Sequence, residues 1–261
     1  MKLTDNTILI TGGTSGIGLG LAQRLQTMGN KVIVLGRSEK RIAEILRDNP
    51  DFDSYQADVS KPETLKDLPA WIMTNYPKLN MVINSAGIMR PYDLLDPELT
   101  VDDLTAEINT NLIGTIAVDK LLLPQLVQQP EAMIVNVSSG LANVSSAAHP
   151  VYSATKAGVH MFTGALREQL IYAKHDNVHV MELVPPLVAE TNLDSTITTS
   201  GTGNMKLSDL IDAAIKGMSS DKIRVNAGAS KAMRKAGQIA PDRTEHQMAG
   251  QMLKQYFPNG L

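Results

Sequence analysis

Tyr152 and Lys156 stand four residues apart in a stretch patterned as a helix, a spacing that puts both on one face. A lysine beside a phenol favours the phenolate and lowers its pKa, which makes the tyrosine a usable general acid or base near neutral pH. Alone, a Y-x-x-x-K pair is common by chance; its weight comes from its company. Ser138 and Ser139 follow the β-branched run 133–137 (MIVNV), where a hydroxyl can hold a substrate oxygen. Asn111 falls inside a long helical pattern over 101–128. Asparagine is a poor helix former, so it marks a backbone distortion or a water-holding position, unless it is merely exposed. His149, just before Tyr152, is expected on the pocket rim as a candidate substrate contact.

A second group of residues reads as a phosphate cradle. The run 7–11 (TILIT) leads directly into Thr11-Gly12-Gly13-Thr14-Ser15-Gly16-Ile17-Gly18, and a helical pattern follows. In a strand–turn–helix context glycines let the backbone approach a pyrophosphate, and the helix start offers unpaired N–H groups to the same anion. The next strand, 32–35, ends in Gly36-Arg37, where NAD-preferring folds carry an acid for the ribose hydroxyls. An arginine there can clamp a 2′-phosphate, so the pattern favours NADP(H) over NAD(H). Asp58, after the run 52–57, can accept from an adenine amino group or cap the next helix. Asn84-Ser85-Ala86-Gly87 closes the fourth run, and its small residues let a cofactor lie across the sheet edge.

These residues need a frame that brings them to one edge. Strand candidates at 7–11, 32–35, 52–57, 81–84, 133–137, 178–184 and 222–225 alternate with helical segments at 17–28, 39–47, 62–75, 101–128, 152–174 and 207–217. Strand, helix, strand at this spacing predicts crossover connections and a parallel sheet. The nearly continuous apolar strands suit a sheet covered on both faces. The expected fold is therefore α/β: one doubly wound Rossmann-type domain over 1–261, with about seven parallel strands and helices on both faces. A substrate loop is expected over about 187–206, rich in Thr, Ser and Gly from 190 onward, and a helical tail at the C-terminus. Thr100 with Asp103 resembles a capping box, and Pro124 should kink or end the long helix.

Bulk properties exclude several classes. The 261 residues include no cysteine, so there is no disulfide framework and no thiolate chemistry; this fits a cytoplasmic protein. The formal net charge of −3 gives no attraction to nucleic acid or anionic membrane. No apolar run approaches the ~18–20 residues of a membrane span. The five histidines form no metal-ligand motif; His175 and His179 straddle an expected helix end and strand start. Lys222, Arg224, Lys231, Arg234 and Lys235 read as a solvated basic helix face, and the thirteen methionines as core filler or lining of an adaptable pocket.

Taken together, T-G-x-x-x-G-x-G at 11–18, N-x-A-G at 84–87, Asn111, Ser139 and Tyr152 with Lys156 resemble the short-chain dehydrogenases/reductases, in their single-domain branch of about 250 residues. The resemblance covers nearly the whole chain. It implies a hydride transfer between NADP(H) and a carbonyl or secondary alcohol. Tyr152 would be the acid in reduction and the base in oxidation. Lys156 would bind the nicotinamide ribose, Ser139 would orient the substrate oxygen in preference to Ser138, and Asn111 would hold a water linking Lys156 to solvent. Gly12, Thr14, Ser15, Gly16, Ile17 and Gly18 would cradle the phosphates. Arg37 matches the NADP position, Asp58 and Val59 the adenine contact, and Asn84, Ala86, Gly87, Pro185 and Val188 the rest of the cofactor groove. A homodimer or homotetramer is implied in the same way. The chain departs from the pattern at Ser85, at Pro185-Pro186 in place of Pro-Gly, and at Thr191, which stands one residue late. Pro185-Pro186-Leu187-Val188 and the ending after Lys222 resemble the subgroup encoded beside D-alanyl-lipoteichoic acid genes.

Two other functions share parts of this pattern. One is a regulatory protein that binds NADP(H) without turnover, disfavoured by the intact Ser139, Tyr152 and Lys156. The other is a nucleotide-sugar epimerase, disfavoured because the chain lacks a larger C-terminal substrate region. Pocket-shaping residues are expected in 89–95, in 140–149 and after Pro186, and the low aromatic content argues against a stacking platform for a planar substrate.

Overall fold

The computed structural model describes residues 1–188, 190, 191, 193 and 204–261. Among these, seven parallel strands form one sheet in the order β3-β2-β1-β4-β5-β6-β7. The strands are β1 (Thr7–Thr11), β2 (Lys31–Gly36), β3 (Asp53–Gln56), β4 (Leu79–Asn84), β5 (Ala132–Val137), β6 (Val178–Val184) and β7 (Arg224–Asn226). The order reverses between β1 and β4, so their carboxyl ends open a crevice where ligands of such sheets bind.

Helices cover both faces: α1 (Gly16–Thr27), α2 (Glu39–Asp48), α3 (Leu68–Asn75), α4 (Val101–Glu107), α5 (Gly114–Leu126), α6 (Pro150–Tyr172), α7 (Leu207–Ser219), α8 (Ser230–Ile239) and α9 (Pro241–Tyr256). Side chains alternate across the sheet. On one face Ile8, Ile10, Val34 and Met181 pack with Leu21 and Leu25 of α1 and Ile211 of α7. On the other, Leu9, Ile33, Val82 and Ile134 pack with Ile72 of α3, Leu122 of α5 and Leu166 of α6. Two buried layers of this kind hold the strand ends, and hence the site, in fixed register.

The structure differs from the expected elements in three places. The continuous helix expected over 101–128 is divided by a π-turn at Ile108–Ile113, which contains Asn111; the Thr100–Asp103 capping box starts α4, and α5 ends at Leu126 just past Pro124. The segment 62–75 begins as a 3₁₀ turn, Pro62–Leu65, before α3. The last strand sits two residues later than expected, because Arg224, Val225 and Asn226 are the residues that pair with β6. Of the substrate loop expected over 187–206, residues 189, 192 and 194–203 lie outside the described residues.

Candidate active site

The turn after β1 is shaped by backbone that only glycine adopts freely: Gly12 has φ +64 and Gly16 φ +50. A Cβ on Gly12 would lie 2.8 Å from the Ala86 backbone, and one on Gly18 would lie 2.4 Å from the Gly12 carbonyl oxygen. The first keeps the turn close to the end of β4, and the second lets α1 begin directly beneath it. Ser15 occupies the N-cap of α1 without a side-chain cap hydrogen bond, which leaves first-turn N–H groups available to an anion.

From this turn a groove runs along the sheet edge, lined by Gly12, Thr14, Arg37, Asp58, Val59, Ala86 and Gly87. Its glycine and alanine floor admits a flat nucleotide, so the residues present fit a dinucleotide. Arg37 is exposed at one end. Beside it stands a second cation that sequence reasoning missed: Arg41 Nε donates to the Thr14 carbonyl at 3.2 Å, and its guanidinium pairs with Glu44 at 3.3 Å. Asp58 does not cap the next helical turn, whose N-cap is Lys61 without a side-chain hydrogen bond; its Oδ1 accepts from Ser60 N at 3.0 Å and Ser60 Oγ at 2.7 Å in a local turn that borders the groove.

Asn84 is placed differently from expectation. Its side chain does not line the groove but donates to Asp119 at 2.6 Å and Asn136 at 2.8 Å. Asn136 in turn donates to Asp119 at 2.9 Å. These bonds pair the two amide nitrogens with the carboxyl and leave the Asn84 Oδ1 without a partner, and through them Asn84 locks the end of β4 to β5 and α5. Burial of the Asp119 carboxyl raises its pKa to about 7, against the pull of the two amides.

Gly87 borders both the groove and a cavity of about 200 Å³ at the centre of the edge. Ser139, Tyr152 and Lys156 converge on this cavity, which Pro185, Val188 and Ile17 also line. Ser139 and Ser138 come from the end of β5, and Tyr152 and Lys156 from the first turns of α6, which starts at Pro150. Proline suits that position, having no N–H to leave unpaired. Lys156 Nζ donates to the Val137 carbonyl at 2.9 Å and lies 5.7 Å from the Tyr152 ring centre.

The electrostatics correct one expectation. Burial pushes the Tyr152 phenol above its ordinary value; the Ser139 hydroxyl opposes this and Glu107 adds to it. The lysine does not reverse the balance. Its own ammonium is buried, which lowers its pKa to about 8, with Glu107 pulling the other way. Burial away from bulk solvent favours the neutral forms of both groups over the charged ones.

Asn111 lies in the π-turn, fully buried. Its Oδ1 accepts from Ile88 N at 2.8 Å, and its Nδ2 donates to the Ile88 carbonyl at 2.9 Å and to Thr155 Oγ1 at 3.1 Å. The side chain ties the loop after β4 to α6, and the backbone distortion expected at this asparagine is the π-turn itself. Thr191, late in the sequence pattern, still reaches the cavity. A Cβ on Gly16 would lie 3.5 Å from the Thr191 methyl, and Thr191 Oγ1 donates to the Val188 carbonyl at 3.0 Å.

Besides Asp119, two buried acids escaped the sequence reading. Glu182, inside apolar β6, accepts from Ser138 Oγ at 2.5 Å, from Arg224 Nε at 2.5 Å and pairs with His160 Nδ1 at 2.9 Å. An acid in a strand covered on both faces must have such partners, and that was the signal available. Glu107 accepts from Arg90 N at 2.6 Å through Oε1, while Oε2 has no partner; burial raises its pKa to about 7. Among the described residues, no group of histidines and acids is placed to hold a metal, and no helix is long and apolar enough to cross a membrane.

The family model for short chain dehydrogenases matches residues 6–201. Over 190 residues the chain is 45% identical to DltE of Bacillus subtilis (strain 168), an uncharacterized oxidoreductase, covering 72% of this chain and 73% of that one. An uncharacterized oxidoreductase of Staphylococcus aureus (strain MRSA252) is 29% identical over 227 residues, 86% of this chain and 96% of that one. The fold is similar to a short chain dehydrogenase of Burkholderia cenocepacia J2315 in complex with NADP, with TM-score 0.79, 21% identity and 95% and 99% of the two chains covered. It is also similar to a short chain dehydrogenase/reductase of Burkholderia phymatum in complex with NAD, with TM-score 0.82, 18% identity and 95% and 96% covered. Since the family's model spans most of the chain and a relative of 45% identity covers nearly three quarters of it, the protein belongs to the short-chain dehydrogenase family.

Proposed function

We propose that the protein is an NADP(H)-dependent oxidoreductase that interconverts a carbonyl and a secondary alcohol, with Tyr152 as the proton donor and acceptor. The observation that carries this reading is the convergence of Ser139, Tyr152 and Lys156 on one cavity that meets the glycine-floored groove at Gly87.

When bound, the nicotinamide supplies or accepts the hydride. The turn from Gly12 to Gly18 and the start of α1 hold the pyrophosphate. Asp58 and Val59 border the adenine, Ala86 and Gly87 underlie the dinucleotide, and Pro185, Val188 and Thr191 flank the nicotinamide end. Arg37 and Arg41 favour the extra phosphate of NADP(H), because a carboxylate at Arg37 would repel it. Lys156 would hold the ribose hydroxyls. In reduction Tyr152 gives its phenolic proton to the substrate oxygen, which Ser139 holds; in oxidation it takes the proton back. The buried Lys156 cation stabilises negative charge as it forms on the phenol. Asn111 and the π-turn keep the loop after β4 at the right distance from α6.

The test is titration with NADPH and NADH, followed by a panel of ketones and aldehydes read by absorbance of the reduced nicotinamide. Tight NADPH binding with turnover is expected. Tyr152→Phe should lower kcat at least a thousandfold and leave NADPH binding within about threefold. Near-normal activity in that variant would overturn the mechanism, and NADPH binding without turnover by the wild type would point to a sensor.

A further inference from the structure

The cavity beside Tyr152 has a marked composition. Among the described residues that line it there is one lysine, Lys156, already committed to the reaction, no arginine and no acid, and the one histidine, His149, has its ring packed edge-on against Tyr256. Residues 189, 192 and 194–203 contribute no lysine or arginine, by sequence. The outer wall is supplied by the C-terminal helices. Met248, Met252 and Tyr256 stand at four-residue steps on α9 and so form one stripe, and Met233 of α8 and Met89 continue it.

That stripe is held in place at two points. Glu245 of α9 accepts from Ser145 N at 3.1 Å, and the Tyr256 ring meets the His149 ring edge-on at 4.4 Å between centres. No residue of α9 is fully buried, so its apolar stripe is spent on the cavity and not on the protein core. Methionine is unbranched and adapts to irregular, flexible shapes. A wall of thioethers with no lysine or arginine besides the committed Lys156 to receive an anionic group disfavours a charged substrate, since an unpaired buried charge is costly.

Resting on the oxidoreductase reading above, we propose that the substrate is an uncharged carbonyl compound with a flexible aliphatic body, received by the methionine stripe of α9. Acidic and phosphorylated carbonyl compounds are excluded from this class.

The experiment compares 2-butanone, 2-hexanone, 2-octanone and 7-oxooctanoate, the last being 2-octanone's equal in length with a terminal carboxylate. Turnover with NADPH is measured for each, and binding is read separately as the rise in Tm of the NADP⁺-loaded protein, in which no ketone can react. The expected result is a gain in kcat/KM of about fourfold per methylene and at least a tenfold preference for 2-octanone over 7-oxooctanoate, with Tm shifts in the same order. Met252→Leu should keep this preference. Met252→Lys, on a half-exposed helix where the amine can reach water, should narrow it at least tenfold. A flat chain-length series, or 7-oxooctanoate equal to or better than 2-octanone, overturns the substrate class while leaving the oxidoreductase reading intact. Tm shifts in the expected order without turnover of any ketone support the substrate class and overturn the catalytic reading. Absence of both turnover and Tm shifts overturns the substrate class.

Discussion

The Ser138 hydroxyl donates to the Glu182 carboxylate at 2.5 Å, and so the two adjacent serines at the end of β5 have separate duties. Ser138 is bound to the buried Glu182–Arg224–His160 cluster, whereas Ser139 interacts with the Tyr152 phenol. Ser139→Ala should lower kcat about a hundredfold or more with a small change in stability. Ser138→Ala should leave kcat within a few-fold and cost about 1–2 kcal/mol of stability, because Glu182 loses one of its donors. Paired kcat and urea-midpoint measurements on the two variants decide this; a reversed pattern would exchange the roles.

Cofactor preference should respond to the two arginines unequally. Arg37 is exposed at the groove, whereas Arg41 is already engaged with Thr14 and Glu44. Arg37→Asp should raise the KM for NADPH at least tenfold and leave that for NADH nearly unchanged, through loss of a charge-assisted contact and gain of repulsion. Arg41→Ala should produce a smaller rise. Both effects should shrink with added salt, since the sites are solvent-facing. An unchanged NADPH/NADH ratio in Arg37→Asp would place the phosphate elsewhere.

Glu107 ties stability to pH. Burial raises its pKa from 4.5 to about 7, so the folded protein keeps a proton that the unfolded chain releases. Stability therefore falls as pH rises from about 4.5 to 7 and is level above that window. Asp119, raised from 3.8 to about 7, acts in the same direction. Glu107→Gln keeps an acceptor for Arg90 N and removes one of the two titrations. Between pH 5 and pH 7.5 the wild type should lose about 2 kcal/mol more than this variant in urea unfolding. Equal losses would mean that Glu107 is ionised throughout.

Two glycines should respond oppositely to alanine. At Gly18 the added methyl would meet the Gly12 carbonyl at 2.4 Å, so Gly18→Ala should cost about 2–3 kcal/mol and weaken NADPH binding at least tenfold by displacing the turn. At Gly164, inside α6, the methyl meets nothing within 4 Å, and Gly164→Ala should stabilise by about 0.5–1 kcal/mol. Thermal midpoints together with NADPH titration separate the two; cofactor affinity unchanged in Gly18→Ala would remove the turn from the binding site.

What the sequence determined by itself was local in nature. The β-branched runs and the helical spacing between them dictated a parallel seven-stranded sheet, because crossover connections of that length permit little else. The glycines at 12, 16 and 18 announced a turn, since other residues resist its backbone, and four-residue spacing set Tyr152 beside Lys156 on α6. The tertiary structure decided what depends on distant partners. Asn84 and Asn136 could not be assigned to the core until Asp119 was seen between them, nor Ser138 distinguished from Ser139 until Glu182 and Arg224 came together from β6 and β7. The upward push on the Tyr152 phenol likewise follows from burial, which no spacing encodes. In sequence the C-terminal segment reads only as a helical tail. Only the placement of α9 across the sheet edge turns its apolar stripe into a wall of the cavity, because long-range packing decides which surface a helix covers.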